Sequence, residues 1–132
     1  MRPRRHFLEA LVKATSETYI LVNARTKSVL ATDLELAADS KTRTKGLLGR
    51  RGLPQSSVMI LAPCNGIHTF FMRFTIDVVF VDRQGRVLKI CRALKPWRIG
   101  FSLRAFAALE FATPGHGRRD VAAGDQLEIT AK

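Results

Sequence analysis

Short apolar stretches divided by polar turns run the length of the chain. Tyr19 to Val22 is continuously apolar and rich in strand formers, and the polar segment Asn23–Lys27 that follows predicts a turn. Ser28–Thr32 and Leu34–Ala37 predict two more short strands, and Val58–Ala62 another that stops at Pro63. The strongest local signal is a hairpin. Ile76–Val81 and Arg86–Cys91 flank Asp82-Arg83-Gln84-Gly85, with Asp and Gly where a tight connection needs them. Ala105–Ala112 predicts a strand ended by Thr113-Pro114-Gly115-His116-Gly117, and Gln126–Thr130 alternates cleanly, turning Leu127 and Ile129 inward. One helix is expected over Lys41–Leu48, capped by Ser40 and stopped by Gly49 and Gly52-Leu53-Pro54. About eight short strands with one or two short helices predict a mainly β fold, a compact β-sandwich or barrel. Nothing alternates helix and strand as a doubly wound α/β sheet requires.

With 132 residues, no repeat and no low-complexity linker, the chain reads as one β-rich domain over 19–132, preceded by an arm or short helix at 1–18. An apolar share of 46% against 25% charged excludes a disordered tail. No run approaches the ~20 apolar residues that span a bilayer. Arg4-Arg5-His6-Phe7-Leu8 resembles a twin-arginine export signal, but Glu9 and Lys13 interrupt the apolar run such a signal needs. A cytoplasmic location is therefore expected, with export as the rival. Two cysteines, Cys64 and Cys91, exclude a disulfide-framed mini-protein; they could pair in an oxidising compartment, and as reduced thiols they fit the cytoplasm equally well.

Charge changes the picture most. The net charge is +11, and it is localised: between Ser40 and Leu109 stand thirteen Lys and Arg against only Asp77 and Asp82, while the remainder balances. Such an excess suits an acidic partner, protein or nucleic acid. Lys95-Pro96-Trp97-Arg98 sets an aromatic between cations, so Arg73, Arg92, Lys95, Trp97 and Arg98 are the expected contact residues. The rival reading is plain solubility, with charge at strand edges discouraging aggregation.

Candidate chemistry is sparse. Asp77 lies in the apolar run Ile76–Val81, on the face of Val79 and Val81, and cannot stay unpaired there. It is expected to clasp loop amides or pair with Arg73, His68 or Thr75. As a second reading, His68 and Asp77 form an acid–base pair with Arg73 as anion clamp, in a small-molecule hydrolase or lyase. As a third, Cys64, His68 and Cys91, with His116, build a metal or redox site, or His68 activates Cys64 as a nucleophile; the spacings are not those of usual zinc folds. Glu110 is the only acid in Ala105–Ala112 and should face away from Leu109 and Phe111, toward Arg73 or Arg98 or into a shallow pocket. Phe70, Phe71, Met72 and Phe74 are expected in the core. Glycine-rich phosphate loops, a G-x-S-x-G elbow and H-E-x-x-H are all missing, and no cofactor is expected. A non-enzymatic binding module is the leading reading.

The series Thr44-Lys45-Gly46-Leu47-Leu48-Gly49-Arg50, Phe71–Asp82, Gly85-Arg86-Val87, Leu109-Glu110 and Gly124-Asp125 resembles the bacterial domain-of-unknown-function family 192, over roughly Leu34 to Ile129. The resemblance implies a compact β-rich domain like a jelly roll, with a helix carrying Gly46-Leu47, and brings no established activity. The family's middle block commonly has Trp-Met and then Lys-Asn before Thr; here Phe71-Met72 and Arg73-Phe74 precede Thr75.

Overall fold

Every apolar run named above forms a strand in the computed structural model, which describes residues 6–12 and 18–132. In chain order the elements are α1 (Glu9–Val12), β1 (Tyr19–Asn23), β2 (Val29–Ala31), β3 (Asp33–Ala37), α2 (Ser40–Lys45), β4 (Ser57–Leu61), β5 (Gly66–His68), β6 (Ile76–Val81), β7 (Val87–Leu94), β8 (Ile99–Phe101), β9 (Ala107–Ala112) and β10 (Leu127–Ala131). Ten strands replace the expected eight or so. The additional pair, β5 and β8, is three residues long each and contains Gly66 and Gly100, too short and too glycine-marked to show a period. Arg4-Arg5 and Lys13 lie outside the described residues. Among those described, no helix is long and apolar enough to cross a membrane.

The centre is a five-stranded sheet in the order β3-β4-β9-β6-β7, antiparallel except for the parallel β3–β4 pair. Strands β4, β6 and β9 are buried at every position, so both faces of this sheet are covered. On one face Val79, Val81, Leu109 and Phe111 pack against Leu21 and Leu127 of the three-stranded sheet β10-β1-β2, with Phe7 and Leu8 sealing the edge. On the other, Val78, Phe80, Ala108 and Leu61 pack against Leu47 and Met72. Leu47 follows α2, and the β5–β8 ribbon leans on the same side through Ile67. Strand β9 is the middle of the middle layer.

The helix differs from expectation at both ends. Asp39, not Ser40, caps it: its Oδ1 accepts from the Thr42 N–H at 2.8 Å. It stops at Lys45 because Gly46 turns the chain at φ 44°, its N–H bonded to the Thr42 carbonyl, and Leu47 drops into the core one residue later. The β6–β7 turn forms as predicted. Asp82 Oδ1 accepts from the Gln84 and Arg86 N–H groups at 2.9 Å each, and Gly85 takes φ 87°.

Candidate functional site

Strand alternation decides which acids meet. In the β6–β9 ladder Val78 stands opposite Glu110, and Asp77 opposite Phe111. Neighbouring residues on a strand point to opposite faces, so the two carboxylates lie on opposite sides of the central sheet. Of His68, Arg73, Asp77 and Glu110, only His68 and Glu110 line the same cleft.

Asp77 is a clasp. Its Oδ1 accepts from the Ala93 N–H and the Thr113 hydroxyl, each at 2.9 Å. Ala93 has φ 52°, and the β6–β7 register shifts between Ile76 and Val78, so the carboxylate fills a bulge in the ladder. None of the suggested partners, Arg73, His68 or Thr75, takes part. A carboxylate bound to neutral donors on the far face from His68 does not form an acid–base pair with it. Arg73 is exposed in the loop before β6.

Glu110 faces a cleft of about 400 Å³ between the exit of α2 and the Pro63–His68 segment. Its side chain is 5% exposed, and no hydrogen bond or ion pair from any described residue reaches it. Neither Arg73 nor Arg98 lines the cleft. Burial pushes the carboxyl up to about 7. Gly46 comes so close that a Cβ there would lie 3.6 Å from Glu110 Oε1. Leu47, Leu61, Ile67 and Met72 supply apolar walls; Arg43, Lys45, Cys64 and His68 supply polar ones. Arg43 donates through Nη1 to the carbonyls of Ala38 and Ala62. Cys64 Sγ donates to the Gly66 carbonyl at 3.2 Å, and burial, joined by the Glu110 charge, pushes the thiol up. His68 Nδ1 accepts from the Phe70 N–H at 3.2 Å, which leaves the neutral ring's proton on Nε2. Sequence reasoning missed the roles of Arg43 and Gly46 here, although the Thr44–Gly49 segment stands out in the chain.

The metal candidates do not assemble. Among the described residues no three His, Cys, Asp or Glu side chains gather as a metal site. Cys64 and Cys91 are free thiols, Cys91 packed near Gly100, and His116 is exposed in the loop after β9.

A second feature covers the β5–β8 ribbon and the loops beside it. Phe71 is exposed, contrary to expectation, and so are Trp97, Ile99, Phe101 and Leu103, with exposures of 54–78%. Phe71 and Trp97 both adopt left-handed backbone, φ 65° and 66°, and their rings meet edge to face at 4.6 Å. Left-handed geometry at two bulky residues is strained, and here it turns both rings outward. Phe70 stacks on Trp97 at 5.6 Å. The 95–98 loop beneath is fixed by Thr69, whose Oγ1 donates to the Lys95 carbonyl at 2.6 Å and accepts from the Arg98 N–H at 2.8 Å. Ile99 and Phe101 share the outer face of β8, with buried Gly100 between them. Arg73, Lys95, Arg98 and Arg104 are exposed, and no described carboxylate pairs with them. Arg92 does not belong to this group: its guanidinium donates to the carbonyls of Arg119 and Val121.

Known proteins add a family and a fold. The UPF0127 protein PH1112 of Pyrococcus horikoshii is 33% identical over 72 residues, 51% of this chain, and the match spans 60% of that relative's length. A crystal structure from Sinorhizobium meliloti 1021, described as a candidate transcription regulator, superposes with TM-score 0.72 at 24% identity, over 85% of this chain and 92% of its own. A protein of unknown function from Novosphingobium aromaticivorans gives TM-score 0.71 at 23% identity, over 84% and 83%. The sequence profile of DUF192, described as an uncharacterized ACR (COG1430), matches residues 21–129, and the chain belongs to that family.

Proposed function

We propose that this protein is a non-enzymatic binding module that docks an acidic protein partner on the patch around Trp97. One observation carries the reading: five large apolar side chains are exposed together with four cations that lack carboxylate partners. Contiguous exposed apolar surface rimmed by charge is the usual mark of a protein contact, and Trp, Phe and Arg are its usual anchors. Ile99 and Leu103 offer no face on which a nucleobase stacks, which favours protein over nucleic acid. The rings are held before any partner arrives, by mutual contact and by the Thr69 brace, and such preorganisation favours a shaped partner over a fluid lipid surface. Against an enzyme stand the Cys64 thiol, which burial keeps protonated, and His68, whose Nδ1 is already occupied. The free thiols of Cys64 and Cys91 suit a reducing, cytoplasmic setting.

Trp97 is the only tryptophan, so its emission reports directly on the patch. The test titrates the protein with a synthetic peptide of Glu and Leu, a single-stranded oligonucleotide and phosphatidylglycerol vesicles, at low and high salt. The peptide should perturb Trp97, less so at high salt, and Arg73→Glu with Arg98→Glu should weaken it by at least about tenfold. A response to the oligonucleotide or vesicles alone overturns the choice of partner. Silence toward all three overturns the docking surface.

A further inference from the structure

The cleft over Glu110 is separate from the patch and shares with it only the wall made by His68 and Phe70. Glu110 stands on the central strand of the sheet, 5% exposed, and no described residue donates a hydrogen bond to its carboxyl. The carboxyl opens into the cleft, where a donor from outside the protein can reach it. The cleft has the size of a small-molecule site, and its walls are polar and apolar in about equal share. The other charges facing it are cations of α2, Arg43 and Lys45, neither paired with a described carboxylate. Arg43 keeps Nε and Nη2 free of the carbonyls that hold Nη1. Acid in the floor and cations in the wall select a molecule that carries both charges.

We propose that this cleft binds a small zwitterion with an apolar body, its ammonium on Glu110 and its carboxylate toward Arg43 and Lys45, which is the chemistry of a free apolar α-amino acid. Leu47, Leu61, Ile67 and Met72 receive the apolar body. The ammonium donates to the Glu110 carboxylate and stabilises it, so binding near pH 7 releases a proton from Glu110. Affinity therefore rises with pH, about tenfold between pH 6 and pH 8, the ratio of the ionised fractions of an acid centred near 7. Two other titratable groups face Glu110. Cys64 stays a thiol across that window, and His68→Asn separates any share of the imidazole from the slope.

Calorimetry with L-leucine, isopentylamine and 4-methylpentanoate tests the site on the intact protein. Leucine should bind more tightly than either single-charge analogue by about tenfold or more, because each analogue leaves one charge of the cleft unanswered. Titration in two buffers of different ionisation heat should show proton release at pH 7, retained in His68→Asn. Glu110→Gln should bind leucine at least about tenfold more weakly and lose the pH slope. Equal affinity for the three compounds, proton uptake instead of release, or no heat with any of them overturns the proposal. The buffer comparison needs only the unaltered protein, so the proposal stands or falls on it even where a variant fails to fold.

Discussion

Three buried carboxyls, Asp77, Asp125 and Glu110, show how one functional group takes three fates. Asp77 is satisfied by two neutral donors. Asp125 is satisfied by charge: Arg25 Nε at 2.6 Å and Nη2 at 3.0 Å, Asn23 Nδ2 at 2.8 Å and the Ala122 N–H at 2.8 Å all donate to it. The Arg25 hydrogen bond comes first in holding its carboxyl far below the usual carboxylate range. A depressed folded value stabilises the fold above the unfolded pKa, and that contribution is lost as pH falls from about 4 downward. Asp125→Asn should therefore be less stable than the parent at pH 7 and approach it at pH 2, measured by thermal melts; a gap that stays constant with pH would contradict the assignment. Glu110 has the opposite sign. Its folded value is raised, so ionisation opposes folding, with a penalty that grows from pH 4.5 and levels above about 7. The full penalty is about 3 kcal/mol. Urea unfolding should find Glu110→Gln equal to the parent near pH 4 and more stable by up to about 3 kcal/mol at pH 8. A destabilised variant at pH 8 would mean that the carboxylate is paired after all.

Among the elements, the β6–β7 hairpin makes the sharpest demand on sequence. A Cβ at Gly85 would lie 2.6 Å from the Leu127 carbonyl oxygen and 2.6 Å from the Phe7 ring, and the residue sits at φ 87°. The Leu127 N–H bonds the Gly85 carbonyl, so that backbone cannot retreat cheaply. Gly85→Ala should cost about 2 kcal/mol or more, since left-handed strain and the clash add, and lower the melting temperature by roughly 8 °C or more. A loss below about 0.5 kcal/mol would mean that the turn relaxes freely. The hairpin was legible because its Asp, its Gly and its apolar flanks act locally. Ribbon β5–β8 was not, because three-residue strands form only where the rest of the fold brings them together, and Gly100 tucks against Cys91 and Leu94 in a way no local pattern announces. Phe71 misled for the same reason: its hydrophobicity predicts burial, and only the conformation of its loop turns it outward. Glu110 was readable as the odd acid of an apolar strand, facing away from Leu109 and Phe111. Its partner-free setting was not, because the missing cations, Arg73 and Arg98, are placed by loops.

At the scale of the molecule, much of the surplus charge makes contacts within the fold. Arg43, Arg86, Lys89 and Arg92 donate to main-chain carbonyls, Arg50 makes a two-point pair with Glu35, and Arg83 lies over the Phe106 ring. These cations tie loops to strands at several places. Arg73, Lys95, Arg98 and Arg104 are exposed without a described carboxylate partner and stand within two residues of an exposed apolar side chain in the sequence; Arg98 also donates to the Pro96 and Trp97 carbonyls, and Lys89 lies over the Phe101 ring. Part of the charge asymmetry seen in the sequence is therefore used inside the fold. Its remaining effect is global: at +11 the folded chain repels itself, and compaction raises that repulsion. Salt screens it, with a Debye length falling from about 30 Å at 0.01 M to about 10 Å at 0.1 M. The described ion pairs are too few to reverse the trend, since Arg25–Asp125 and Arg50–Glu35 are the only ones between described side chains. The melting temperature should thus rise by a few degrees between about 0.01 and about 0.3 M sodium chloride, and Arg73→Glu with Arg98→Glu should flatten the rise by lowering the net charge. A melting temperature that falls over this range would show that attraction, not repulsion, dominates the molecule's field, and that the cations around Trp97 already have partners within the fold.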